Sequence, residues 1–291
     1  MKTLRQNITN LYGSKGADWI DNLPAIVTAL TIDWNLSEII PVSNMTFNYV
    51  AKAILNSKEP VVLKISYDEQ SIFNEKQALA NLGPQGAIKL IDYDNRYNAL
   101  LLQQAIPGIT LKSLYQDNPD YVTDCYVETM RRLHFQQLPK ESNHPSVADW
   151  LKVLDEPYLT QIPTTLLNKA IELRNKMLSS PKPLIFLHGD LHHDNILKHG
   201  NEWFAIDPKG VIGEAEFEIA AFDFMYINEL TITTDVKNVF AKRVELLAQK
   251  SGLDASRIRD WVFIRLILMA AWFIEDNVDP SRAIKLAELI N

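Results

Sequence analysis

The densest polar run in the chain is His188-Gly189-Asp190-Leu191-His192-His193-Asp194-Asn195, set between the apolar stretches 184–187 and 196–197. Flanking apolar strands can hold such a loop rigidly while its side chains face a ligand. Asp207 follows twelve residues after Asn195, at the end of the apolar run 203–206. Moving a phosphoryl group onto a hydroxyl needs a carboxylate to orient the hydroxyl and take its proton. It also needs hard oxygen donors for the magnesium that bridges nucleotide phosphates. An Asp, an Asn five residues later and an Asp on the next hairpin supply those parts. The plainer alternative is a solvated surface loop, against which three concordant spacings count. A zinc or dinuclear hydrolase site built from His188, His192, His193 and Asp194 is a further alternative. Adjacent histidines diverge, however, and the run lacks a helical i, i+4 pair of ligands.

His188, Asp190 and Asn195 match the His-x-Asp-x-x-x-x-Asn loop of protein kinases, and Asp207 matches their second metal-binding position. The longer stretch HGDLHHDNIL…WFAIDPKGVIGEAEFEIAAF resembles the aminoglycoside phosphotransferases. Within them it is most similar to the streptomycin 6-kinase and hydroxyurea-resistance kinase branch, where an HGDLH-x-x-N loop precedes IDPKG-x-x-GE. The resemblance is strongest over residues 184–224. It implies an ATP-dependent kinase on a two-lobed scaffold, with Asp190 as catalytic base and Asn195 and Asp207 as magnesium ligands. His188 is expected to brace the loop and His192 to face the site.

A nucleotide lysine is expected from the first half. Lys64 lies inside the apolar run Val61-Val62-Leu63-Lys64-Ile65, where an ammonium is costly without a partner. Nucleotide phosphates and a helix carboxylate would provide one. By the resemblance the carboxylate is Glu75, with Glu69 as competitor. The phosphate-covering loop falls at Ser43-Asn44-Met45-Thr46-Phe47-Asn48, which departs from the usual pattern in having no glycine. Asn tolerates left-handed turns, and the Ser43 and Thr46 hydroxyls could donate to phosphate. Adenine is expected against the backbone of Gln103, Gln104 and Ala105.

Acceptor recognition is read from carboxylates. Glu214 and Glu216 follow Asp207, and Trp272 stands near Glu275 and Asp276. These could bind the ammonium or guanidinium groups of a polycationic sugar, with cation–π support from the aromatic ring. Surface positions for the glutamates and a core position for Trp272 are the alternatives. Asp223 is expected to brace the catalytic loop from within a helix, EIAAFDFM. Other acceptors considered are choline, homoserine, methylthioribose and fructosamine-type substrates. A non-catalytic nucleotide-binding protein is the remaining reading.

The elements that must position these residues are legible in the pattern. Residues 60–66, 88–93 and 98–103 read as strands, 33–55 as a hairpin around SNMTFN, and 3–31 as helix. A helix with Phe73, Leu79 and Leu82 as apolar positions ends at Gly83-Pro84. AIPGIT, from residue 105, reads as a linker. Helices are then expected at about 111–138, 146–156, 164–179, 234–251, 256–276 and 280–290. Residues 183–207 read as strand, loop, strand, turn and strand, with His199-Gly200-Asn201 at the turn. The fold class is α+β, two-lobed and protein-kinase-like: a small antiparallel β-rich lobe over 1–103 and a larger, mainly helical lobe over 104–291.

Composition agrees with an enzyme of small molecules. The chain has 291 residues, 47% of them apolar, enough for a large core. A formal charge of −7 argues against a nucleic-acid partner and suits a neutral or cationic small molecule. Cys125 is the one cysteine, so no internal disulfide can form, and it reads as a packing residue. The first residues lack the apolar core of a signal peptide. The most apolar stretch, Trp261 to Ile274, is too short to span a bilayer and carries Arg265. A cytoplasmic protein with no membrane partner is expected.

Overall fold

The computed structural model describes residues 1–134, 138, 144–225, 229–230 and 235–291. The outer ends of two expected helices, at 135–137 and 234, lie outside the described residues. The chain divides into two compact units, one of Met1–Ile109 with Lys198–Lys209, the other of Thr110–Leu197 with Gly210–Asn291. Residues 198–209, expected in the 104–291 lobe, cluster with the first unit.

The first unit is built on a five-stranded antiparallel sheet of order β1-β2-β3-β5-β4. Its strands are β1 (Leu36–Pro41), β2 (Asn48–Leu55), β3 (Glu59–Ser66), β4 (Leu90–Asp94) and β5 (Ala99–Gln103). Helix α1 (Lys2–Asp33) bends at Gly13, whose φ of 61° falls outside helical space. Its Ile20, Leu23, Ile26 and Leu30 recur at helical spacing and join one core with Val61, Leu63 and Ile65 of β3. Side chains alternate across a strand, so Lys64 faces the opposite side from those three. Helix α2 (Glu69–Leu82) starts at Asp68, whose side chain accepts from the Ser71 amide, and ends at Gly83 with φ 69°. Its buried stripe is Ile72, Glu75, Leu79 and Leu82. Phe73, expected on that stripe, is 41% exposed because Ile72 takes the inward position.

The expected linker AIPGIT instead contains strand β6 (Pro107–Thr110). It is an edge of a three-stranded sheet of order β6-β8-β9 with β8 (Ile196–His199) and β9 (Glu202–Ala205). Pro is tolerated at the first residue of an edge strand. Gly108 is required there: its φ is +75° and an added Cβ would lie 2.7 Å from the Ala105 carbonyl oxygen.

In the second unit, β7 (Ile185–Leu187) pairs antiparallel with β10 (Val211–Gly213). Around them lie α3 (Pro119–His134), α4 (Val147–Trp150), α5 (Thr164–Ser179), α6 (Ala215–Ile219), α7 (Val236–Ser251), α8 (Ala255–Glu275) and α9 (Ser281–Ile290). The expected helix at 111–138 is split: a 3₁₀ turn covers Leu111–Leu114 and α3 begins only at Pro119, a residue suited to a first helical position. The one at 146–156 is α4 followed by a 3₁₀ turn, Leu151–Asp155. Helix α8 packs against α5, α6, α7 and α9, which explains why it is apolar nearly all round. Cys125 is buried in α3. No helix of the described residues is long and apolar enough to cross a membrane.

Candidate active site

In the first unit, the outward alternation of β3 aims Lys64 at the Glu75 position of α2. The ammonium lies 2.6 Å from Glu75 Oε2 and 2.9 Å from Asp207 Oδ1. Lys64 and Glu75 are 3% and 5% exposed, so both charges are taken out of water. Burial by itself lowers the lysine pKa, but the Asp207 and Glu75 carboxylates outweigh it and hold the group above its ordinary value. Burial pushes Glu75 upward, with Lys64 opposing. Glu75 Oε1 is buried without a hydrogen-bond partner among the described residues. Glu69, the competitor, is exposed at the start of α2. Asp207 stands two residues past β9 with φ 58°, a left-handed conformation that Asp adopts more readily than most residues.

Two other expected contacts belong to this unit. Ser43, Asn44 and Thr46 are exposed at the β1–β2 loop. The loop is anchored by buried Met45, whose sulfur accepts from the Val50 amide, and by the Asn7 side chain, which donates to the Thr46 carbonyl. At the end of β5, the Gln103 amide donates to Lys89 O and the Gln104 amide to Pro60 O. The Ile106 amide donates to His199 Nδ1, and Ala105 between them is buried.

In the second unit the 188–195 loop connects β7 to β8. Gly189 turns the chain at φ 84°. The successive amides of His188 and Gly189 then both donate to the Glu218 carboxylate, at 2.6 and 2.9 Å. Such paired amides form an anion-binding nest. Glu218 is fully buried; burial raises its pKa, but the His134 contact and these donors prevail and hold it below the usual value. The Asp190 amide donates to His188 Nδ1 at 3.2 Å, which puts the His188 proton on Nε2. Asn195 Nδ2 donates to the Asp190 carbonyl at 2.9 Å, which turns its amide oxygen the other way.

Asp190 itself is held by Arg265 of α8. One guanidinium nitrogen donates to Asp190 Oδ1 at 2.9 Å and another to the Gly189 carbonyl at 3.0 Å. The second Asp190 oxygen lies 3.8 Å from His192 Nε2. His192 is part-exposed, whereas His193 is buried among Tyr115, Tyr126 and Phe222. His193 Nδ1 is 3.1 Å from Asp223 Oδ2, and its amide donates to the same oxygen. Burial holds the His193 pKa down, with Asp223 opposing. Asp223 therefore braces the loop, but from the irregular chain after α6 and not from within a helix. These directions also correct the zinc alternative. His188 and His193 are buried in separate contacts, Asp194 pairs with Lys112, and no set of three or more His, Cys, Asp or Glu among the described residues is arranged to hold a metal.

The expected acceptor carboxylates do not gather at Asp190. Glu214 is buried in a two-pronged pair with Arg257, at 2.5 and 2.6 Å, and also accepts from Trp261 Nε1. Glu216 is buried against Lys182 at 2.5 Å. Both brace the β10–α6 corner and have no face left for a substrate cation. Trp272 packs edge-on against Trp150. Glu275 and Asp276 are exposed, and neither they nor Trp272 line the cavity beside Asp190. Arg265 and Glu218, neither of them an expected site residue, hold the loop. The signal for Arg265 was a lone charge in an apolar helix, which demands a partner.

This geometry agrees with what the chain resembles. Its sequence matches the aminoglycoside/hydroxyurea antibiotic resistance kinase family over residues 33–277. It is 26% identical to a streptomycin 6-kinase of Streptomyces glaucescens, over 99% of this chain and 95% of that one. It is 24% identical to a hydroxyurea phosphotransferase of Kitasatospora aureofaciens, over 96% and 82%. The crystal structure of aminoglycoside phosphotransferase APH(4)-Ia superposes with a TM-score of 0.71 at 13% identity, over 92% of this chain and 98% of that one. A thermostable mutant of that protein has been solved as a ternary complex with ADP and hygromycin B. The fold is protein-kinase-like, and the chain belongs to the aminoglycoside/hydroxyurea antibiotic resistance kinase family, phosphotransferases whose acceptor is an alcohol group.

Proposed function

We propose that this protein transfers the γ-phosphoryl group of ATP to a hydroxyl of a small molecule, with Asp190 as the base. The observation that carries the reading is the buried ammonium of Lys64. A buried ion pair is a poor device for stability, so its placement argues for a ligand. Lys64 has three protons, and Glu75 and Asp207 receive two; the third is assigned to a nucleotide phosphate oxygen. The Ala105 amide, whose neighbours at 103, 104 and 106 are already bonded, is assigned to adenine. Ser43, Asn44 and Thr46 are assigned to the phosphates.

Asp190 accepts the acceptor's hydroxyl proton, the acceptor oxygen forms a bond to the γ-phosphorus, and the bond to the ADP oxygen breaks. Arg265 orients the Asp190 carboxylate through Oδ1, and the acceptor hydroxyl is assigned to this carboxylate. Asn195 presents an amide oxygen and Asp207 a carboxylate, donors that fit magnesium. Magnesium, when bound, neutralises phosphate charge. The relatives make an aminoglycoside such as streptomycin the acceptor to try first. A metabolite-type alcohol is the second reading, favoured by the apolar walls of the cavity next to Asp190.

The test is Asp190→Asn. Turnover should fall by about 10² or more, with ATP affinity unchanged within about twofold, since the base acts on the acceptor. Turnover near the wild-type rate would show that another group takes the proton.

A further inference from the structure

Helix α1 consists of two arms. Gly13, with φ 61° and ψ −139°, interrupts helical geometry between residues 2–12 and 14–33. In a straight helix, residues eight apart stand about 12 Å from each other. Here a Cβ on Gly16 would lie 2.5 Å from the Ile8 carbonyl oxygen and 2.9 Å from Ile8 Cγ2. The first arm is therefore folded back on the second. Arg5 pairs with Asp21 across the fold at 2.6 Å, and Tyr12 and Trp19, one from each arm, both pack on Tyr67.

The fold carries the first arm to the β1–β2 loop. The arm lies ahead of residues 33–277, the stretch that matches the family. Its Leu4 and Ile8 share one core with Met45 of the loop, and Asn7 Nδ2 donates to the Thr46 carbonyl at 3.1 Å. Residues 43–48 contain no glycine, so the loop lacks the freedom by which backbone amides usually approach phosphate. It has two tethers instead: Met45 seated in the core, and a carbonyl held from α1. The C=O and N–H of a planar trans peptide point in opposite directions. With the Thr46 oxygen turned to α1, the Phe47 N–H is turned away from it. The core that α1 shares covers the sheet face of Val61, Leu63 and Ile65, and Lys64 stands on the other face.

We propose that Asn7 is a positioning residue for the nucleotide. By holding the Thr46 carbonyl on the α1 side, it presents the Phe47 amide to a phosphate oxygen. This deepens the phosphotransfer reading and rests on its placing of phosphate against Lys64 and the 43–48 loop. Without Asn7 the Thr46 carbonyl is free to rotate toward the phosphates, where its partial negative charge repels them and the Phe47 donor is lost.

The experiment uses the whole protein with magnesium, and reads the affinities of ATP and of adenosine by displacement of a fluorescent ATP analogue. No acceptor is needed. Asn7→Leu removes the donor and should weaken ATP about three- to tenfold, while adenosine, which has no phosphate, binds as before. Asn7→Gln keeps a donating amide and should recover most of the loss. Unchanged ATP affinity in Asn7→Leu, an equal fall for ATP and adenosine, or no recovery in Asn7→Gln would overturn the proposal and leave the phosphotransfer reading intact. A wild-type protein that binds no ATP would overturn both. Gly16→Ala drives a Cβ into the Ile8 carbonyl and displaces the first arm. In a protein that circular dichroism shows to be folded, it should weaken ATP and spare adenosine; unchanged ATP affinity there would also count against the proposal.

Discussion

Arg265 is the residue whose change most clearly separates geometry from fold. It is 3% exposed and spans the Gly189 carbonyl and Asp190 Oδ1. Arg265→Lys keeps the charge, but a single ammonium cannot reproduce a fork that bonds two oxygens at once. The expected outcome is a fall in kcat of about tenfold to 10²-fold from misplacement of the base, with the ATP KM little changed; steady-state kinetics beside a circular dichroism melt would check it. The histidines illustrate what was legible at this scale. The spacing of His188, Asp190, Asn195 and Asp207 could be read from the chain. That His193 is buried against Asp223 could not, because the direction a loop residue takes is set by neighbours distant in sequence. The same limit applied to Glu214 and Glu216. A carboxylate-rich stretch looks available until Arg257 and Lys182, far along the chain, are brought against it.

Elements longer than about a turn were read well because burial period and caps agree. The 164–179 helix and the β3, β5 and β8–β9 strands follow their apolar patterns closely. The misses are the first turns of the expected 111–138 helix, where α3 begins only at Pro119, and two short strands. Strand β10 has three residues, too few to show a period. Strand β6 opens on Pro and Gly, which punctuate loops far more often than they begin an edge strand. At this scale the pairing of β3 with α2 gives a test that separates stability from ligand binding. Replacing Lys64 and Glu75 together, as Lys64→Met with Glu75→Leu, exchanges a buried ion pair for hydrocarbon. Such exchanges are often neutral or stabilising, by about 1–4 kcal/mol. The double variant should therefore melt no lower than wild type while losing ATP affinity; intact affinity would remove Lys64 from the nucleotide contacts. A control in the same helix is Asp68→Ala, which removes the α2 cap and should cost about 1 kcal/mol in chemical denaturation.

For the whole molecule, the pH dependence of stability has a definite sign in the second unit. Glu218 and Asp223 are both held below their ordinary values in the folded chain. Their contribution is fully present above the unfolded carboxylate pKa and is lost as pH falls through the folded values. Glu75, pushed upward, works in the other sense: its contribution is present at low pH and lost as pH rises through its folded pKa. Acid should therefore destabilise the supports of the 188–195 loop below about pH 4. Glu218→Gln should reduce that acid slope, and a melting-temperature series from pH 3 to 7 reads it.

Phosphorus NMR of ATP, magnesium and a panel of hydroxylated acceptors that includes streptomycin, with wild-type protein and with Asp190→Asn, follows both products at once. A phosphomonoester resonance should grow in step with ADP in the wild type and be absent or at least about 10²-fold slower in Asp190→Asn. Ester formation at equal rates in the two proteins, or conversion of ATP to inorganic phosphate alone, would contradict the account.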